Sequence, residues 1–282
     1  MRWGEIIRRL VLIPPTLFGV AVIVFVLLRV VPGDPIAMMI PPGAAPADIA
    51  RLRAFYGLDQ PIPQQFITWL GQALRGDFGR SISVHQSVFE LVLARFPATL
   101  ELALVAVLIA VGLGLTVAMT GILLRGKRAE WLVDSGVGVL LAIPDFLWAL
   151  ILLILFGVLI PLLPISGRID PDIDVSFHSN FYLLESLVTG RIDIAYALLH
   201  HMILPALALA LPFAALLARI LKASLAEAED QDYAQIARTR GFSRPEILLR
   251  EVFPNALIPT VALGGVQVTL LLGGTVLVER IF

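Results

Sequence analysis

The sequence contains no cysteine, only four histidines, and charged side chains at just 15% of its 282 positions. The absence of cysteine excludes disulfide bonds, thiolate metal sites and cysteine nucleophiles. Soluble domains carry about 25% charged residues, so the low charge and the 58% apolar content exclude a water-soluble globule of this size. Disorder is also excluded, since disordered chains lack apolar residues to bury. A net charge of −1 offers no basic surface for nucleic acid. The composition therefore predicts a protein that contacts the lipid bilayer.

Apolar runs of 22 residues or more recur along the chain, and each is long enough to cross a bilayer as a helix, which takes about 20 residues. The five runs cover residues 10–31, 102–124, 146–167, 194–218 and 252–278. We therefore predict an all-α, polytopic helical membrane protein.

The distribution of Lys and Arg predicts the orientation of these spans, because cytoplasmic loops carry an excess of positive charge. The short loop 168–193 has only two arginines, Arg168 and Arg191, against five acidic residues, and so is expected outside. The stretch 219–250, in contrast, is rich in Arg and Lys. We therefore expect the N-terminus to be cytoplasmic.

The segment 32–96 after the first span is too long for a bare connector. Phe66, Trp69 and Leu70 recur at helical spacing, and residues 47–56 have a similar pattern before Gly57. The patterns predict two short amphipathic helices in an external segment; the alternative is a solvated loop. The chain is thus divided into 1–31, the N-terminus and first span; 32–96, the external segment; and 97–282, the core with four spans.

Residues 223–254 form a patterned cytoplasmic loop within that core. An acidic stretch that includes Glu229 and Asp232 suits a helix N-terminus, and Tyr233, Ile236 and Ala237 are spaced to lie on one helix face. These residues predict the first of two short helices.

Gly241 follows the first helix at the position of a left-handed cap. Ser243 and Glu246 then have the spacing of a capping box, with Pro245 in the first turn. The second helix is expected to run to Pro254. Isolated helices this short are not stable in water, so the loop is predicted to dock on the membrane domain and on a cytoplasmic partner. A DNA-binding helix-turn-helix is excluded, since a turn flanked by spans cannot easily reach a groove.

The positions of the loop that form a recognisable motif are Asp232, Tyr233, Ala237, Arg238, Gly241, Pro254, Asn255 and Ala256. At these positions the loop resembles that of the permease subunits of bacterial ABC importers, and most closely their dipeptide/oligopeptide branch. Further motifs resemble that branch in family order, at residues 32–35, 57–61, 76–81, 95–102, 164–168 and 201–206. The long segment after the first span resembles the first of the two paralogous permeases.

The resemblance implies a type I ABC importer permease in the bacterial inner membrane. It implies a heterodimer with a homologous second permease, two ATP-binding subunits on the cytoplasmic side, and an extracytoplasmic solute-binding protein. The chain has no G-x-x-x-x-G-K-[ST] phosphate loop, so ATP hydrolysis is expected in the partners, and no cofactor, catalytic residue or metal is expected here. The resemblance also implies an ATPase-coupling site, which is expected to consist of Asp232, Tyr233, Ala237, Arg238, Gly241, Ser243, Glu246, Pro254 and Asn255.

Three further expectations follow. Asp145, directly after Ile143 and Pro144, is a candidate for lining the transport path, because a carboxylate near a span usually faces the bundle interior. The family has six spans, and this chain ends within or just after the fifth, so a last span is expected to be missing. The substrate stays open among dipeptides, oligopeptides, glutathione, nickel complexes and oligosaccharides.

An integral membrane enzyme is the alternative class, although the spans offer no Ser-His or His-Glu-x-x-His pattern.

Overall fold

The computed structural model describes residues 3–30, 45–55, 57–81, 84, 86–173 and 175–282. The motif at 32–35, Tyr56, and the side chains of Ile49, Leu52 and Phe55 lie outside the described part of the chain. The chain divides into two units, Met1–Ala94 and Arg95–Phe282, and each is described by itself.

The first unit contains α1 (Trp3–Val30), α2 (Pro46–Phe55) and α3 (Ile62–Ala73). Helices α2 and α3 thus lie where the two short helices were predicted, while the amphipathic character of α2 and the external location of segment 32–96 stay predictions. The amphipathic face of α3 packs on α1 through aromatic edges: the ring of Phe66 lies 5.3 Å from that of Phe25, and Trp69 lies 5.6 Å from Phe25. Arg29, near the end of α1, lies 4.5 Å above the Phe25 ring and donates a 3.0 Å hydrogen bond to Gln65.

The second unit takes in most of α4 and the helices that follow it. Their bounds are α4 (Val88–Leu123), α5 (Arg128–Ala142), α6 (Asp145–Leu152), α7 (Tyr182–Val188), α8 (Ile192–Glu229), α9 (Asp232–Thr239), α10 (Arg244–Ile247) and α11 (Phe253–Ile281). Two π-helical segments, Leu153–Leu159 and Leu248–Val252, continue α6 and α10.

Four helical stretches in the described residues are long and apolar enough to cross a membrane, and a bent pair makes up to five. The four are Gly4–Val30, Val88–Leu123, Ile192–Glu229 and Arg244–Ile281. The predicted polytopic, all-α architecture is confirmed.

The bent pair replaces the predicted third span, and residues 146–167 do not form one continuous helix. α6 and its π segment together run only from Asp145 to Leu159, and α5 meets them at an angle of 100°. Pro144 causes the break, because a residue before proline is pushed out of the helical region; Ile143 has φ −99° and ψ 121°. Beyond Ile160 the prolines at 161 and 164 cannot continue a helix.

The core of the second unit is centred on α8, which packs against α5, α6, α7 and α11. In its most apolar stretch 61% of residues are buried, against 33% in α4 and 22% in the helix that includes α11. Small residues allow this close packing: Ala206, Ala208 and Ala210 are fully buried. α8 is therefore an internal helix that extends directly into the loop 223–254.

Candidate functional site

The predicted coupling loop begins later than the sequence pattern suggested. α8 continues without a break to Glu229, and α9 begins only at Asp232. Glu229 therefore ends a long helix, where a helix N-terminus was expected. The reason is local: the run from Ala223 to Glu229 contains neither glycine nor proline, so nothing stops α8 there.

The face that α9 turns toward the protein also differs from the predicted one. Ala234 and Ala237 are buried and Tyr233 is half-buried, whereas Ile236 is 52% exposed. Ile236 was expected on the same helix face as Tyr233 and Ala237, but it points to solvent instead. Ala237 packs into a small cluster with Ile247 and other apolar residues of α4, α8 and α11. The docking of α9 thus uses small side chains and allows a close approach.

The turn between α9 and α10 has the geometry that its residues predict. Gly241 has φ +84°, the left-handed conformation, which confirms the expected cap. Ser243 is the N-cap of α10, and its backbone N and Oγ donate hydrogen bonds of 2.9 and 2.8 Å to Glu246 Oε2. The capping box is therefore formed, and it fixes the direction in which the chain leaves the turn.

The second helix of the loop was predicted to end at Pro254, but the helical path continues past this residue. α10 passes through the π segment Leu248–Val252 into α11, and Pro254 lies in the first turn of α11, where the missing N–H of proline is tolerated. Asn255 follows it and donates a 2.8 Å hydrogen bond to the carbonyl of Glu251. The coupling loop is thus continuous with the last described helix.

The structure brings the predicted coupling residues together at two places. Tyr233 and Asn255 line a cavity of about 350 Å³, which Gln231 and Glu227 border with polar groups. Ser243 and Glu246 lie at the other end of the loop, beyond Gly241. Asp232 is exposed at the start of α9, and Ala237 is buried in the packing between these two places.

A cluster of charges around Glu229 is the feature that sequence reasoning missed. The Glu229 side chain is only 5% exposed, and its carboxylate accepts hydrogen bonds from Arg244 Nε at 2.8 Å and Arg244 Nη2 at 3.2 Å. Arg238 Nη2 lies 3.3 Å and Arg125 Nη1 lies 3.8 Å from the same carboxylate. We call Glu229, Arg125, Arg238 and Arg244 the Glu229 cluster. The many arginines of the loop indicated that ion pairs could form, but they did not indicate that several arginines share one buried carboxylate.

A second ion pair joins α8 to α5. Lys222 Nζ donates hydrogen bonds of 2.7 Å both to Glu130 Oε1 and to Asp134 Oδ1, and its side chain is 18% exposed. These residues border a cavity of about 490 Å³ between α4, α5 and α8. Two carboxylates of α5 thus bind the ammonium group of Lys222 in α8, and this ion pair fixes the two helices against each other.

Asp145 lies apart from the coupling loop, at the start of α6 and directly after the 100° bend. Its Oδ1 accepts a 2.8 Å hydrogen bond from the backbone N of Phe146. Its Oδ2 faces Gly274 of α11, where an added Cβ would be only 2.5 Å away. Asp145 also borders a cavity of about 240 Å³ whose other described lining residues are apolar, apart from Gln267. A carboxylate thus borders a largely apolar cavity between four helices, α5, α6, α8 and α11.

The loop between the π segment Leu153–Leu159 and α8 is held by two carboxylates. Glu101 of α4 is buried and accepts hydrogen bonds from Arg168 Nη2 at 2.6 Å and from the backbone N of Leu184 at 2.9 Å. Glu185 of α7 accepts hydrogen bonds from the hydroxyl and backbone N of Ser179 and from the backbone N of His178, which together lower its pKa to about 2. Both carboxylates are satisfied, so they have a structural role in ordering this loop.

Within the described residues, no group of three or more His, Asp or Glu side chains is placed to hold a metal ion. His200 stacks on Tyr196, and His201 Nδ1 lies 3.0 Å from the carbonyl of Ala197. The two adjacent histidines therefore point to different neighbours.

Comparison with known proteins identifies the class. Residues 94–282 match the family described as binding-protein-dependent transport system inner membrane component, and residues 3–103 match the N-terminal region of such membrane components. The chain belongs to this family. It is therefore a multi-pass membrane component of a transport system, and the resemblance to ABC importer permeases is confirmed.

Curated relatives of the chain are permeases of peptide transport systems. It is 36% identical to the di/tripeptide transport system permease protein DppB of Pseudomonas aeruginosa and 34% identical to the dipeptide transport system permease protein DppB of Escherichia coli, over 98% of this chain and 83% of each relative. It is 33% identical to the oligopeptide transport system permease protein AppB of Bacillus subtilis, over 98% of this chain and 82% of that protein. The predicted dipeptide/oligopeptide branch is thus confirmed.

Proposed function

We propose that the chain is the transmembrane subunit of an ATP-driven importer of short peptides. In this proposal it pairs with a homologous second permease, and each permease forms half of the translocation path. Two cytoplasmic ATP-binding subunits dock on the loop 223–254, and an extracytoplasmic solute-binding protein delivers the peptide. The observation that carries the proposal is the identity of 33–36% to three peptide permeases over nearly the whole chain.

The surface of the loop supports a docking role. Three large apolar side chains are exposed there: Ile236 by 52%, Phe242 by 42% and Leu249 by 60%. Apolar side chains exposed around a polar, capped turn are typical of a protein interface. The rigid Gly241 turn and the Ser243–Glu246 capping box would hold this surface in a fixed orientation, which a mechanical coupling element needs.

The order of helices supports a cytoplasmic N-terminus. If α5 and α6 cross as one broken span, the loop 230–243 lies on the same side of the membrane as the N-terminus. That side then carries Arg125, Lys127 and Arg128 as well as the arginines of the coupling loop. The excess of positive charge on that side agrees with the positive-inside rule. The external segment 32–96 is then on the opposite side.

Co-purification tests this proposal. The affinity-tagged chain, extracted in mild detergent from its own organism, should bring down a second permease and two ATP-binding proteins that contain the phosphate loop. The matched control is the variant with Ile236, Phe242 and Leu249 replaced by Ser, which should keep the second permease and lose the ATP-binding proteins. Recovery of the chain alone, or equal recovery of ATP-binding proteins with both versions, would contradict the proposed docking.

A further inference from the structure

The Glu229 cluster joins four separate parts of the protein at one carboxylate. Glu229 is the last residue of α8, Arg238 belongs to α9, Arg244 begins α10, and Arg125 lies in the turn between α4 and α5. Arg244 Nη2 also donates a 3.1 Å hydrogen bond to the carbonyl of Ile122, near the end of α4. The cluster therefore connects both helices of the coupling loop to two long apolar helices.

We propose that Glu229 is the positioning residue that fixes the coupling loop to the membrane-spanning helices, so that a displacement of α9 and α10 is passed on to α4 and α8. The proposal rests on the proposed function, because it supplies the connection between the docking surface and the helices that form the path. In this role Glu229 acts through its arginine partners and not by direct contact with the peptide or ATP.

The Glu229 carboxylate is buried, whereas its arginine partners are not. Glu229 is 5% exposed, whereas Arg125, Arg238 and Arg244 are 39–49% exposed. A buried carboxylate needs partners that satisfy it, because an unpaired buried charge is costly. Arg244 supplies the two-bond fork that binds a carboxylate most strongly. Arg238 and Arg244 are thus oriented by the Glu229 carboxylate, whereas Arg125 also lies 3.4 Å from Asp230.

This difference in burial predicts that the Glu229→Gln variant folds, but that its coupling loop is no longer fixed to the long helices α4 and α8. The amide keeps the shape of the side chain and removes the negative charge, so the arginines are released without leaving a buried ion. Asp230→Asn is the matched control: Asp230 is the next residue, lies 3.4 Å from the same Arg125, and is 66% exposed. Exposed ion pairs contribute little.

The test measures peptide uptake and ATP hydrolysis in the same proteoliposomes, which contain the full complex with its second permease, ATP-binding subunits and binding protein. Glu229→Gln should lower the peptide taken up per ATP hydrolysed by about tenfold or more, the factor that corresponds to one lost charge-assisted hydrogen bond. The ATP-binding subunits should co-purify as in the wild type. Asp230→Asn should stay within about twofold of the wild type.

A purely structural ion pair would behave differently. It would lower the amount of assembled complex and leave the peptide taken up per ATP unchanged, and that result would overturn the proposal.

A distance measurement tests the connection without relying on ATP. Because the chain has no cysteine, spin labels can be placed at Lys127→Cys, in the α4–α5 turn, and at Arg240→Cys, after α9. Glu229→Gln should broaden the distribution of distances between them, and Asp230→Asn should not. An unchanged distribution in Glu229→Gln would overturn the proposal. Failure of the wild-type complex to take up peptide would instead contradict the proposed function, and the distance result would still decide the role of Glu229.

Discussion

At the scale of single residues, Gly241 is held in a backbone conformation that other residues avoid. Its φ of +84° lies in the left-handed region, where an ordinary L-residue costs about 1–2 kcal/mol and a β-branched one more. Space is not the constraint, since an added Cβ would meet no atom within 4 Å. We expect Gly241→Val to reorient α10, to lower peptide uptake by about tenfold, the factor that corresponds to about 1.4 kcal/mol, and to reduce ATPase recruitment while the protein stays inserted.

Gly241→Asn is the control for this prediction, because asparagine adopts the left-handed conformation several-fold more readily than most residues. It should retain most uptake and most recruitment. Both are measured by uptake assays and by pull-down of the ATP-binding subunits from membranes with equal amounts of each variant. Wild-type recruitment by Gly241→Val would show that the conformation of this turn does not matter for docking.

Asp145 is the second residue whose position supports a role in transport. It is the one charged group among the described residues lining the cavity between α5, α6, α8 and α11, and a peptide carries a positively charged amino group. We expect Asp145→Asn to lower uptake by at least about tenfold, since a charge-assisted hydrogen bond is worth roughly 1.5–3 kcal/mol. ATPase recruitment should not change.

Asp172→Asn serves as the control for Asp145→Asn, because Asp172 is exposed in the loop before α7. It removes the same charge from the protein without touching the cavity. Uptake is measured with a labelled dipeptide at several concentrations. Equal uptake by the two variants would contradict a path-lining role for Asp145.

At the scale of helices, the approach of α4 to α8 depends on Gly114. A Cβ there would lie 3.0 Å from Leu217 Cβ and 3.1 Å from the carbonyl of Ala214, whereas a Cβ at Gly112 would meet nothing within 4 Å. Gly114→Leu should therefore force the helices apart and lower the free energy of unfolding by about 1–3 kcal/mol. Gly112→Leu should have no such cost. Thermal unfolding of both variants in the same detergent tests this, and equal Tm values would contradict it.

The elements that could be predicted from the sequence are those fixed by near neighbours along the chain. The Gly241 turn and the capping box of Ser243 and Glu246 involve residues at most a few positions apart. Their patterns can therefore be recognised in the sequence. The Glu229 cluster could not be predicted, because Arg238 and Arg244 are 9 and 15 residues from Glu229, Arg125 belongs to another part of the chain, and Arg244 also contacts a carbonyl 122 residues distant. Composition could indicate the charges but not which of them is buried.

The third span shows the same limit for an apolar run. Residues 146–167 are apolar enough for a span, and hydropathy alone predicts one there. The helical path instead starts in α5, bends by 100° at Pro144, and ends at Leu159. Hydropathy indicates which residues are apolar enough to contact lipid or the protein core. The break in the helix depends instead on the backbone conformation of the residue before a proline.

At the scale of the whole molecule, one buried helix connects the features described above. α8 packs against α5, α6 and α11 beside Asp145, holds α5 through Lys222, and ends at Glu229 in the coupling loop. A displacement of the loop would therefore reach the cavity through a single continuous helix. This arrangement suits a permease in which ATP hydrolysis by partner subunits changes the access of the path.

Uptake of a labelled dipeptide into proteoliposomes tests this account most directly. The vesicles would contain this chain with its second permease and ATP-binding subunits, with ATP inside and the binding protein outside. We predict that the dipeptide accumulates above its outside concentration only with hydrolysable ATP and with the binding protein present. Uptake that proceeds equally with a non-hydrolysable ATP analogue would contradict the account.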